Sequence, residues 1–191
     1  MLNRTLRRLT LVLLTGSLLP VAFLATPKLD RKHPDYVRAV LINKITPYVY
    51  WQKSAFTRPD SPINLCIIES ERDTIEKIWP YFDLLNNRKS GTHPYSVKDI
   101  SRFKQQPEKL PDNCHIYYFA SLEPAQVRML VEKATETSIL TIADSLEELH
   151  DGVMLAFIEE RGKMKIYANT EAIKNSSLKI KSSLLRIAKK I

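Results

Sequence analysis

Cys114-His115-Ile116-Tyr117-Tyr118-Phe119-Ala120, then Glu123-Pro124, then Ser138-Ile139-Leu140-Thr141-Ile142: the reading of this stretch decides the fold. Both apolar runs have the length of buried strands. Between them Pro124 takes the favoured first position of a helix, with Val127, Met129, Leu130 and Val131 inside it. Strand, helix and strand in that order call for a right-handed crossover and a parallel pair. Upstream, Ile63 to Ile68 predicts another buried strand, and Asp73 to Leu85 an amphipathic helix with Asp73 as N-cap and a break at Pro80. Asn86 to His93 reads as loop, Tyr95 to Ile100 as an edge strand, and Ser101 to Asn113, with Pro107 and Pro111, as the longest connection.

At the near end, Pro34-Asp35 opens a helical pattern that Pro47 should interrupt before the aromatic cluster Tyr48, Tyr50 and Trp51. At the far end, Asp144 to Asp151 reads as a turn or short helix. Val153–Ile158 and Lys163–Ala168 form a hairpin about Arg161-Gly162, and Leu178 to Ile191 is expected as one basic helix. The expectation is an α/β chain: a single domain over residues 30–191 with a mostly parallel sheet flanked by helices, ending in an antiparallel hairpin and a helix.

The first 25 residues differ. Arg4, Arg7 and Arg8 precede the apolar run Leu9 to Ala25, which reads as a secretory signal, with an uncleaved anchor as the alternative. Either places residues 26–191 outside the cytoplasmic membrane. The whole chain carries 29 Lys+Arg and 21 Asp+Glu, a net charge of +8. Without residues 1–25 the balance is 26 against 21, or +5, so much of the basicity belongs to targeting. The rest gathers in the tail, at Lys174, Lys179, Lys181, Arg186, Lys189 and Lys190, as a solvated face rather than a nucleic-acid surface.

Four glycines, none close enough together for GxGxxG, a P-loop or GxSxG, close three common routes to enzyme chemistry. His33, His93, His115 and His150 show no ligand spacing and read as surface or loop residues. No nucleophile has an evident base, so the chain reads as non-catalytic, without cofactor or metal. Two cysteines, Cys66 and Cys114, both fall in expected core strands. In an exported chain the default is a bridge, with two buried free thiols as the alternative. Adjacent Cys114 and His115 would point to opposite faces of a strand, which argues against zinc. Ligands of open parallel sheets sit beyond the strands' carboxyl ends, which here makes Glu69 and Asp144 a candidate groove for a small ligand. Tyr48, Tyr50 and Trp51 read first as core residues, and any exposed subset as a partner anchor.

The order of these pieces resembles the YfiR family of periplasmic proteins. The matching segments are Tyr36-Val37-Arg38-Ala39-Val40 leading to Tyr48-Val49-Tyr50-Trp51, then Leu65-Cys66-Ile67-Ile68 and Cys114-His115-Ile116-Tyr117. They continue through Ile139-Leu140-Thr141-Ile142-Ala143-Asp144, Gly152-Val153-Met154-Leu155-Ala156-Phe157 and the tail Leu178 to Leu185. The resemblance implies an α/β periplasmic domain that restrains the sensor region of an inner-membrane diguanylate cyclase and lowers cyclic-di-GMP. It further implies an outer-membrane lipoprotein that sequesters the regulator, a structural Cys66–Cys114 disulfide and a homodimer. Ser145-Leu146-Glu147-Glu148 departs from the family's Gly-Phe after the third strand, and a second cysteine pair of some members is absent.

Overall fold

A computed structural model describes residues 29–191; the signal-segment reading of residues 1–25 lies outside them. Helix α1 (Pro34–Ile45) leads through a 3₁₀ turn into the short strand β1 (Val49–Tyr50). There follow β2 (Ile63–Glu69), α2 (Arg72–Phe82), β3 (Lys89–Ser90), β4 (His93–Asp99), β5 (Ile116–Ala120), α3 (Pro124–Thr137) and β6 (Leu140–Ala143). The chain ends with α4 (Leu146–His150), β7 (Leu155–Glu160), β8 (Lys163–Ala168), α5 (Thr170–Asn175), β9 (Lys179–Ile180), α6 (Ser182–Ile187) and β10 (Lys189–Lys190).

Eight strands form one sheet in the order β10-β8-β7-β6-β5-β2-β4-β3. The centre, β4 through β7, is parallel, and the β7–β8 hairpin is antiparallel. That hairpin turns on Arg161 (φ 52°) and Gly162 (φ 72°), the two positive-φ positions a two-residue turn needs to match strand twist. Alternation sorts the core into two layers. Leu65, Ile67, Ile116, Tyr118, Ile142 and Phe157 pack under α1 and α2, and Cys66, Ile68, Tyr117, Phe119 and Ala156 under α3 and α4.

Several expectations are corrected. The basic tail is not one helix: it is split into β9, the six-residue α6 and β10. Pairing decides this, since β10 adds in parallel to β8 and β9 pairs with β1. Pro80 does not break α2, and Asp73 lies inside its first turn while Glu71 holds the N-cap position. The Asn86–His93 loop contains β3, which covers the edge of β4. Cys66 and Cys114 are joined, but Cys114 does not fall in a core strand, and the partner of Cys66 across the sheet is Tyr117. Cys114 precedes β5, at the end of the connection that carries the chain from β4 past β2 to β5. Ile100, Phe103 and Leu110 of that connection pack in the α3 layer, so it crosses the face of β2 on which Cys66 lies.

Candidate functional site

Two regions collect the residues that the sequence singled out. The first is at the carboxyl ends of the parallel strands. After β2 the chain leaves into α2 on one face, and after β5 into α3 on the other. Adjacent strands whose helices depart to opposite faces open a crevice between their ends, the usual ligand position in open α/β sheets. Register sets Glu69 opposite Ala120 and Phe119 opposite Ala143, so Glu69 and Asp144 stand at one level across three strands. Strand spacing puts their backbones roughly 10 Å apart.

Each carboxylate has its own surroundings. Glu69 is fully buried and lines a cleft of about 440 Å³ with Ile75, Asp99, Ser101, Lys104 and Gln106, a cleft that does not include Asp144. Burial pushes its pKa up; the start of α2, at Ile75 and Thr74, and the Lys104 charge offset only part of that. Asp144 faces a charged cluster on the α1 side. Burial raises its pKa as well, against the pull of Arg38. Arg38 binds Asp35 Oδ1 at 2.7 Å and donates through Nε to the Phe157 carbonyl at 3.3 Å. Burial opposes the guanidinium charge, but Tyr118, Asp35 and Asp144 outweigh it and raise the Arg38 pKa. Glu148, also buried, accepts from the Leu122 N–H at 3.0 Å and the Ser145 hydroxyl at 2.9 Å, tying the end of β5 to α4.

The second region is at the opposite, amino ends of the strands. Tyr48 and Tyr50 flank Val49, which is buried, so β1 turns both tyrosines outward; they are 38% and 53% exposed. The ribbon β1–β9 holds them, with the Lys181 N–H donating to the Tyr48 carbonyl at 2.8 Å. Lys181 Nζ lies 5.5 Å from the Tyr48 ring centroid and 5.2 Å from that of Tyr50. Trp51 parts from them: it is half-buried, and its indole N–H donates to the His115 carbonyl at 3.3 Å. Phe56 stacks on His93 at 4.3 Å and on His115 at 4.6 Å.

His115 is a buried structural residue rather than a surface one. Its Nδ1 accepts from the Asn64 N–H at 3.1 Å, and its Nε2 lies 3.0 Å from the Ala55 carbonyl, so the neutral ring carries its proton on Nε2. The basic tail hinted at Lys181 only as one charge among six; nothing in the sequence marked Phe56, Lys104 or Arg38 as members of these clusters. Among the described residues, no group of three or more His, Cys, Asp or Glu is placed to hold a metal, and no helix is long and apolar enough to cross a membrane.

The solved structures that match share the fold at low identity. A conserved domain protein from Vibrio cholerae O1 biovar eltor superposes with a TM-score of 0.57 at 9% identity. An ABC domain in complex with L-Trp from Streptococcus pneumonia superposes with a TM-score of 0.51, also at 9% identity. In each case 82% of this chain is covered, and it spans about 60% of the other's length. The model of the family described as YfiR/HmsC-like matches residues 35–189, from the first turn of α1 to the last strand of the sheet. The chain belongs to the YfiR/HmsC-like family.

Proposed function

We propose that the protein is a non-catalytic periplasmic regulator that docks on the sensor region of an inner-membrane diguanylate cyclase, or a similar sensor protein, and lowers cyclic-di-GMP output. Family membership supports a periplasmic regulator of a diguanylate cyclase. The apolar segment at residues 1–25 serves export in this reading. An outer-membrane lipoprotein that competes for the same regulator would relieve the restraint.

The observation that carries the docking is the pair Tyr48 and Tyr50. Both rings stand outward on a two-stranded ribbon, set beside the Lys181 ammonium. Exposed tyrosines with a neighbouring cation supply large, rigid contact area and polar tips at small entropic cost, as interface anchors do. Trp51, bonded inward, stiffens the ribbon instead of contacting the partner. Restraint needs no chemistry here. The regulator must bind the inactive conformation of the sensor more tightly than the active one, by roughly 10⁴-fold for a near-complete switch.

The test is made in the native cell. Deleting the gene should raise cyclic-di-GMP, and the wild-type chain should restore it. A Tyr48→Ala/Tyr50→Ala chain present at equal level should fail to do so. An unchanged level on deletion rejects the regulator; full restoration by the double variant rejects the ribbon as its docking surface.

A further inference from the structure

Glu69 ends β2 with its side chain fully buried, and neither Oε1 nor Oε2 closes a hydrogen bond. Its main chain, by contrast, is held on both sides: the N–H donates to Ser101 Oγ at 3.2 Å, and Lys104 Nζ donates to the carbonyl at 3.1 Å. The Lys104 ammonium and the Ser101 hydroxyl are thus committed elsewhere. Lys104 Nζ also bonds the Ser70 carbonyl, and the Ser101 hydroxyl donates to Asp99 Oδ1 at 2.6 Å. Arg102 lies over the Phe103 ring, 4.5 Å from its centroid.

A buried carboxylate without a donor is costly unless a partner arrives or it takes up a proton. The cleft that Glu69 lines measures about 440 Å³, inside the range of roughly 300–1,000 Å³ common for small-molecule sites. It lies at the carboxyl ends of the parallel strands β2 and β4, beside a second carboxylate, Asp99, and an apolar wall, Ile75. Of the cleft's own cations, Lys104 is held on main-chain carbonyls and Arg102 over the Phe103 ring, and neither donates to the Glu69 carboxylate.

We propose that the cleft over Glu69 binds a small primary ammonium compound, its N–H donors on the Glu69 carboxylate and its carbon chain against Ile75. An ammonium supplies three donors and a unit charge, so it satisfies both orphaned oxygens and cancels the buried charge together. Asp99 adds attraction at the mouth. The site lies at the carboxyl ends of the strands, away from the tyrosine ribbon at the amino ends, and is a ligand site separate from the docking surface.

Putrescine and methylammonium are the probes, with butanediol as the neutral counterpart and tetramethylammonium as a cation without N–H donors. Thermal unfolding and titration calorimetry are run on the purified full chain. Putrescine at about a hundredfold over its dissociation constant should raise the unfolding midpoint by about 5 °C or more. Butanediol and tetramethylammonium should not. Glu69→Gln, nearly isosteric, should abolish the shift. Gln105→Trp, which fills the cleft mouth and leaves the carboxylate intact, should weaken binding at least about tenfold. No shift with either amine overturns the proposal. So does an equal shift in Glu69→Gln, or an equal shift with tetramethylammonium. Cyclic-di-GMP is not measured in this test, so its failure leaves the regulator standing.

Discussion

Cys66 and Cys114 are bridged with their Cα atoms 6.0 Å apart, although neither is the other's neighbour across the sheet. The bond ties β2 to the end of the segment that crosses over it. It pins the end of the crossover to the face of β2, beside the apolar contacts that the segment makes in the α3 layer. Closing 48 residues of chain removes loop entropy from the unfolded state, for which the chain-entropy relation gives about 4 kcal/mol. A Cys66→Ala/Cys114→Ala chain should therefore lose about 3–4 kcal/mol in urea unfolding. A loss under about 1 kcal/mol would mean that the crossover is held by its apolar contacts alone.

Protonation of His115 should weaken the fold. Burial lowers its pKa from 6.5, and the His93 and Lys98 charges push the same way; the Ala55 carbonyl opposes them. The folded chain keeps the ring neutral at pH values where the unfolded chain protonates it. The unfolded state then binds more protons, so stability falls as pH drops below about 6.5 and levels off beneath the folded-state pKa. The physical event is loss of the Nδ1 acceptor for the Asn64 N–H. Urea midpoints between pH 7 and pH 5 should decline in the wild type and decline less in His115→Gln. The variant itself should cost about 1–3 kcal/mol at pH 7 for the broken bonds.

How far this was legible from sequence depends on the range of the forces involved. The unit from Ile116 to Ala143 was readable because its strands are continuous apolar runs and Pro124 marks its helix start. The Arg161-Gly162 turn was readable because its neighbours alternate. The tail was not. Leu184, Leu185 and Ile187 carry a helical pattern, yet Lys189 pairs with Tyr167 and its Nζ binds Glu160 Oε2 at 2.6 Å, contacts made by residues more than twenty positions away. His115 was misread for the same reason, since its ring is satisfied by Asn64 and Ala55. Glu69 and Asp144 were rightly set at strand ends, but their separate surroundings come from residues 99–106 and from α1, which no local pattern reveals.

The unbonded carboxylate of Glu69 predicts a stabilising substitution. Its folded-state pKa is raised above 4.5, chiefly by burial. The folded chain thus binds more protons than the unfolded one in the window above 4.5, and stability declines as pH rises through it. Glu69→Gln removes that decline. At pH 7 and without added amine it should be more stable than the wild type by about 1–3 kcal/mol, the span for unmade buried polar bonds. The gain should vanish toward pH 4, where both carry a neutral side chain. A variant less stable than the wild type at pH 7 would show that the start of α2 already satisfies the carboxylate.

Trp51 and Tyr50 are adjacent yet should answer mutation in opposite ways. Trp51 packs edge-on to Phe56 and to His115, at 6.4 and 6.2 Å between ring centroids, and bonds the His115 carbonyl. Removing it opens the junction of β1 with the amino end of β5, so Trp51→Ala should cost about 2–4 kcal/mol of stability. Tyr50 is 53% exposed, with Lys181 Nζ beside its ring. Tyr50→Ala should change stability by no more than about 0.5 kcal/mol. Its effect belongs to the partner: truncating an anchor of this kind costs about 2 kcal/mol or more in binding, roughly thirtyfold in affinity. Paired urea melts and cyclic-di-GMP measurements on the two variants separate the roles. Loss of restraint in Tyr50→Ala with an unchanged melt is the expected outcome. Full restraint in that variant, or a destabilised fold, would assign Tyr50 to structure and take the ribbon out of recognition.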